Sequence, residues 1–277
     1  MRRHYHLYLI LAALAVVGCK RHPDYVLIRG SETILPVAWK LADRFTELDT
    51  MPDLSAIGGG SGSGIAALIS DSADIAMSSR PIQEHERLKI REKGYNLKEC
   101  VVGLDALALV VNKNNPIDSI SIDAVKSIFT GKIYSWHDLG GEEAEIIAYK
   151  RPESSGTQSF FSEVVLENAP LADMETLEQN AQIVDHVSAN PHAIGYIGIA
   201  YVDTALVKPL SIYSGKLPAV APSIERISAG DYPWTRKLYF YYAAENEDRV
   251  GKVIQYVESE AGRKLVEKVG YLAVQKQ

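Results

Sequence analysis

The sequence predicts an α/β protein of two lobes, and three observations carry that expectation. Strand-like and helix-like runs alternate through roughly the first 80 residues, the pattern of layered α/β architectures. Two apolar β-like runs, 106–111 and 238–242, lie far apart in the chain and are placed to carry it from one lobe to the other and back. The 277 residues are 47% hydrophobic and 23% charged, an ordinary globular composition that leaves each lobe room for a core of its own.

Residues 25–29 read as a strand. Gly30-Ser31-Glu32-Thr33 follow, and then Ala38, Leu41, Ala42 and Phe45 at the spacings of one helix face. Pro36 suits the first turn of that helix. Residues 54–57 read as a second strand, the glycine-rich run 58–64 as its turn, and Ile65, Leu68 and Ile69 as the start of a second helical stripe. A short strand over 74–77 ends in Ser78-Ser79-Arg80-Pro81. Beyond the apolar run 106–111, residues 112–116 mark the crossing into the second lobe. Val125, Ile128 and Phe129 suggest a helix closed by Gly131. A strand over 146–149 runs into Lys150-Arg151-Pro152-Glu153-Ser154-Ser155-Gly156-Thr157, and Phe161, Val164 and Val165 then mark a helix face. Residues 194–202 and 207–213 read as further strands, and the amphipathic stretch 250–269 as a C-terminal helix pair. The first lobe is therefore expected over 25–111 with 238–277, and the second over 112–237.

The N-terminus reads as a targeting segment. Arg2 and Arg3 precede an apolar run over 7–17 that is too short for a comfortable membrane span, and Gly18-Cys19 closes it. This ending resembles a bacterial lipobox. A signal peptide over 1–18, a lipid such as palmitate on Cys19, and a short tether over 19–24 are expected. Loss of Arg2 and Arg3 takes the net charge from −6 to −8. Cys100, beside an apolar run, is expected to be buried.

With 29 basic and 35 acidic residues, the chain is a poor candidate for binding nucleic acid. Two cysteines and seven scattered histidines show no metal-ligand spacing, so no metal or other cofactor is expected.

Three segments share one design, a strand, a turn rich in Gly, Ser or Thr, and a helix: 30–33, 58–64 and 154–157. A helix start presents unpaired N–H groups and the positive end of a dipole. Glycine lets the backbone come close, and hydroxyls add donors. Ser and Thr are also ordinary helix caps, so no single turn is diagnostic. Arg80 follows Ser78-Ser79, Arg151 precedes the third turn, and a guanidinium fork matches a tetrahedral oxyanion. In an acidic protein such recognition has to be local, which suits a small dianion enclosed in a cleft. A carboxylate beside the site would repel sulfate but accept the proton of hydrogen phosphate. Glu153 either plays that part or is a solvated turn residue or an ion-pair partner of Arg151. Glu32 is expected to point outward.

Together these residues resemble the phosphate-binding proteins of phosphate-specific ABC transporters. The likeness rests on residues 30–36, the turn 58–64, residues 74–81, Ile128-Phe129-Thr130-Gly131-Lys132, Arg151 through Thr157 with Phe161, residues 193–198, and Gly270-Tyr271. It implies a two-lobed periplasmic-binding-protein type II fold, each lobe a mixed sheet flanked by helices, with two crossing strands. It also implies a monomer that closes over one phosphate and delivers it to a membrane permease. By this resemblance Arg151, Ser155, Gly156 and Thr157 bind phosphate from the second lobe. Ser31 and Thr33 match the first binding turn, Ser61 or Ser63 the second, and Ser79 and Arg80 the third. Glu153 falls where many members carry an acidic proton acceptor. At position 80 some members carry aspartate, and Glu32 departs from the small or hydroxyl residue common there. The alternatives are a receptor for another oxyanion, a phosphate sensor, or an adhesion lipoprotein on the same scaffold. An enzyme is disfavoured, because no Gly-x-Ser-x-Gly, Walker A or His-Glu-x-x-His pattern is present.

Overall fold

The computed structural model describes residues 25–48 and 51–274, and the expected signal peptide, Cys19 and tether lie outside the described residues. The chain opens with β1 (Tyr25–Gly30), α1 (Leu35–Thr46), β2 (Asp53–Ile57), α2 (Ser61–Ile69), β3 (Ile75–Ser78) and α3 (Glu84–Glu92). The long strand β4 (Leu97–Asn112) follows, then β5 (Ser119–Ser121), α4 (Ile122–Phe129) and β6 (Ile147–Lys150). Next come α5 (Gly156–Phe160), which continues into a π turn over Phe161–Val165, then β7 (Glu175–Thr176), α6 (Asn180–Ala189) and β8 (Ala193–Gly198). The remainder is β9 (Val207–Pro209), β10 (Ser211–Tyr213), α7 (Ile224–Ser228), β11 (Thr235–Ala243), α8 (Glu247–Glu258) and α9 (Glu260–Val269).

One sheet runs through the molecule in the order β2-β1-β3-β11-β4-β8-β6-β7, with β9 also on β4. β1, β2 and β3 are parallel to one another, as the strand–turn–helix repeats require. β11 is antiparallel to both β3 and β4. The first stretch of β4, Leu97 to Ala106, pairs with β11, and the next, Leu107 to Val111, pairs with β8. β4 therefore belongs to two cores. In one, Val26, Ile28, Leu41, Phe45, Phe240 and Val253 pack beneath α1, α8 and α9, and Cys100 is buried with them. In the other, Leu107, Leu109, Phe129, Trp136, Phe161 and Tyr196 form an apolar centre. Phe161 stacks on Tyr196 at 3.9 Å between centroids, and Phe129 meets both edge-on.

Several element boundaries differ from the sequence reading. The turn expected over 58–64 ends at Gly60, whose positive φ of 92° caps α2, so Ser61 already lies in the helix. The strand expected over 194–202 stops at Gly198 and gives way to a 3-10 turn over Ile199–Tyr201. The run 207–213 is two short strands, β9 on β4 and β10 on β5, broken at Leu210. Pro209, which has no N–H, closes the first of them. The π turn buries Phe161 and Val165 but leaves Val164 45% exposed, because its repeat is wider than the α-helical one assumed. α3 and α6 have no counterpart in the sequence reading, although each opens with a capping box, Gln83 with Glu86 and Gln179 with Gln182.

Candidate functional site

The parallel strands β1, β2 and β3 bring three turns to one edge of the first core. The turn after β6 meets them from the second. Ser31, Thr33, Ser61 and Ser79 are all buried there, as are Arg151, Ser155 and Thr157 opposite. The contact between the halves is direct. Gly62 N–H donates to Ser154 O at 3.0 Å, and the hydroxyls of Thr33 and Thr157 lie 3.1 Å apart. Gly156 sits so close to Ser61 and Ser79 that a Cβ there would collide with both hydroxyls. Only glycine allows this approach.

The local chemistry makes these groups donors. Ser155 caps α5, and its hydroxyl oxygen accepts from the N–H groups of Thr157 and Gln158 at 3.2 and 3.4 Å. Its own proton therefore remains for an outside acceptor. The Ser61 hydroxyl accepts from Ser79 N–H at 3.1 Å and lies 3.4 Å from the Ser79 hydroxyl, so one proton serves that pair and the other remains for an outside acceptor. Gly156, the first helical residue, has an N–H without an intrahelical partner.

Arg151 carries the site's charge. It is 2% exposed, with its backbone held by the Tyr196 hydroxyl at 3.0 Å and Gln158 Oε1 at 3.2 Å. Nε donates to Leu177 O at 3.0 Å and Nη2 to Glu178 O at 2.6 Å, while Nη1 has no hydrogen-bond partner among the described residues. Both partners are neutral carbonyls, so no carboxylate closes an ion pair on this guanidinium. Burial pushes its pKa down to about 10. Tyr196 and the Glu32 carboxylate oppose that shift. A fall of this size corresponds to a penalty of about 3 kcal/mol on the charged form.

Arg80 is arranged differently. It is 6% exposed, and its two terminal nitrogens grip Glu86 at 2.8 and 2.7 Å. Glu86 also accepts from Gln83 N–H at 2.9 Å in the capping box of α3. The Arg80 charge is thus matched within its own lobe. Ser63 is half-buried and donates to Gly60 O at 2.9 Å, away from the other hydroxyls. Glu153 is exposed at the outer side of its turn. The expectation that Glu32 points outward is corrected. Its carboxylate accepts from Gly59 N–H at 2.6 Å and lies half-buried over the glycine turn, because that turn offers an unpaired N–H within reach.

Sequence reasoning missed a second buried ion pair beside these groups. Arg236 on β11 faces Asp105 on β4, and Nε and Nη2 donate to Asp105 Oδ2 at 2.8 and 2.7 Å. A lone carboxylate inside the apolar run 101–111 was its visible signal. Burial raises the Asp105 carboxyl above the usual range, against the opposing pull of Arg236. Asn180, whose Nδ2 is buried without a partner, was missed as well.

Two cores joined through shared crossing strands, enclosing a buried cation and converging hydroxyls, define a two-lobed ligand-binding protein. The chain belongs to the family described as the PBP superfamily domain, whose model matches residues 20–261. It is 29% identical over 258 residues to the phosphate-binding protein PstS of Bacillus subtilis, covering 93% of this chain and 83% of that protein. With the phosphate-binding protein PstS of Borreliella burgdorferi it shares 28% identity over 285 residues, 99% of each. The fold superposes with a TM-score of 0.82, at 30% identity, on a crystal structure from Clostridium perfringens described as a phosphate ABC transporter substrate-binding protein with bound phosphate. That match covers 91% of this chain and all of the other.

Proposed function

We propose that this protein is an extracytoplasmic receptor that encloses inorganic phosphate between its two lobes and delivers it to the permease of an ABC transporter. The observation that carries the reading is Arg151, a buried guanidinium with one nitrogen unpartnered and no carboxylate paired to it. A small oxyanion supplies the missing counter-charge. It would take the free Nη1, the hydroxyl proton of Ser155, the Gly156 N–H, and the hydroxyls of Ser31, Thr33, Ser61, Ser79 and Thr157.

In this reading the closing bodies are the lobes 25–111 with 238–277 and 112–237. The change of β4 partners after Ala106 supports a hinge a few residues ahead of that expected boundary, with Leu107 to Val111 moving with the second core. Arg80, locked to Glu86, shapes the wall and contributes little charge. Ser63 holds the glycine turn. Glu153 stays exposed although its turn already meets the opposite lobe, which favours the solvated alternative over a proton acceptor. A lipid on Cys19 would hold the monomer at the membrane, with no metal, cofactor or catalysis involved. The similarity to the Bacillus subtilis and Borreliella burgdorferi proteins and to the phosphate-bound fold supports this assignment over a sensor or an adhesin.

The test is calorimetric titration of the full chain in mild detergent, stripped of endogenous phosphate, with phosphate and then sulfate. Tight phosphate binding with no sulfate heat supports the reading. Sulfate binding alone moves the ligand, and silence with both removes the receptor function.

A further inference from the structure

We infer that Arg236, clamped by Asp105, is a positioning residue that turns the paired hydroxyls of Thr33 and Thr157, one from each lobe, into a donor toward the enclosed oxyanion. The inference rests on the phosphate reading above and assigns a role to a pair that the reading does not use.

Arg236 and Asp105 are direct cross-strand partners on β11 and β4, at the point where β4 passes from one core to the other. They are 6% and 0% exposed, so solvent takes no part in their chemistry. Asp105 is held on its other side by Ile199 N–H, which donates to Oδ1 at 3.0 Å. The Phe160 ring lies 5.5 Å from the guanidinium carbon and covers it. The guanidinium is therefore held by Asp105 on one side and covered by α5 on the other.

Its Nη2 carries two hydrogens. It bonds Asp105 at 2.7 Å and also reaches Thr157 Oγ1 at 3.0 Å and Thr33 Oγ1 at 3.4 Å. One hydrogen serves the carboxylate and the other is shared between the two hydroxyl oxygens. Nη1 reaches Gly156 O at 3.4 Å, in the first turn of α5. A guanidinium only donates, so both threonine oxygens accept from it. The two hydroxyls also lie 3.1 Å apart, so one hydrogen bridges the pair and the other is left for an acceptor enclosed between the turns. The contacts to Thr33 and to Thr157 coexist only when the two turns meet, which ties this polarity to closure.

Stability alone does not account for the pair. Burying an ion pair stabilises weakly, and apolar residues of similar volume often replace one at no cost, whereas removing a single partner strands a charge. The test therefore uses the double variant Asp105→Leu with Arg236→Met, in the full chain in mild detergent, titrated with inorganic phosphate by calorimetry. The expected result is a melting temperature near wild type with phosphate affinity lower by roughly 10- to 100-fold. In a Thr33→Val, Thr157→Val background the same double replacement should cost almost nothing further, a coupling that a purely structural pair would not produce.

Should the double variant fail to fold, Arg236→Lys keeps the charge opposite Asp105 but loses the fork, and an affinity about tenfold lower is expected. Wild-type affinity in the folded Leu/Met variant or in Arg236→Lys overturns the inference, as does an undiminished loss in the valine background. If the unmodified chain binds no phosphate, the receptor reading fails first and this role fails with it.

Discussion

Arg80 and Arg151 stand at equivalent places in the two halves of the molecule, each beside a serine-bearing turn and each nearly inaccessible to water. They differ in what answers their charge. Arg80 grips Glu86 through two nitrogens, whereas Arg151 meets two backbone carbonyls and leaves Nη1 without a partner. A buried cation with its own carboxylate is part of the scaffold. One without is complete only when an anion arrives. The comparison teaches that an arginine near a Gly/Ser turn is a weak sign of anion binding until its counter-charge is known.

The sharpest way to break this contrast is to remove each arginine in turn. Arg80→Met strands the Glu86 carboxylate and should cost roughly 3–5 kcal/mol of stability, a fall of roughly 10 °C in melting temperature. The companion change Glu86→Leu should restore much of that loss. Arg151→Met should instead act on binding, weakening phosphate by roughly 2–5 kcal/mol in a calorimetric titration. Equal losses of affinity in Arg80→Met, Glu86→Leu and in Arg151→Met would erase the distinction.

Gly156→Ala tests the approach of the lobes. The added methyl collides with Ser61 and Ser79 on closure, so affinity should fall by roughly 1–3 kcal/mol. A ligand-free melting temperature that hardly moves would show that the lobes separate without ligand, and an equal fall in both would show that they do not.

The pH dependence bears on Arg151. The Arg151 guanidinium is pushed down to about 10, and an oxyanion binds its charged form. Affinity should therefore be indifferent to this group below pH 10 and fall up to about tenfold per pH unit above it. The sign for stability is opposite. Above about pH 10 the unfolded chain holds a proton that folded Arg151 has released, so this group's share of ligand-free stability rises with pH until the unfolded guanidinium also titrates. The smallest effect is expected from Glu153→Gln. The side chain is exposed, so phosphate affinity near neutral pH should change by less than about threefold. A larger loss would place Glu153 inside the closed cleft as the proton acceptor.

Much of this arrangement was legible in the chain. Alternating strands and helices with short glycine turns predict the first half of the sheet, because local periodicity fixes those elements. The segment from Arg151 to Thr157 was readable for the same reason, since strand, cap and helix start adjoin in sequence. What escaped were relations set by tertiary pairing. Asp105 and Arg236 are 131 residues apart and meet only because β4 and β11 pair. The fate of Arg80 was local, but its sign was the Gln83–Glu86 capping box, which lies just beyond the motif that drew attention. Glu32 turned inward because Gly59, 27 residues away, offers it an N–H.

The measurement closest to the central claim is a phosphate titration of wild type and Arg151→Met side by side, both stripped of ligand and both shown to be folded. The account predicts tight, saturable binding to the wild type and at least a thirtyfold loss in the variant, the order expected when a buried charged partner is truncated. Phosphate binding that survives unchanged in Arg151→Met would contradict it.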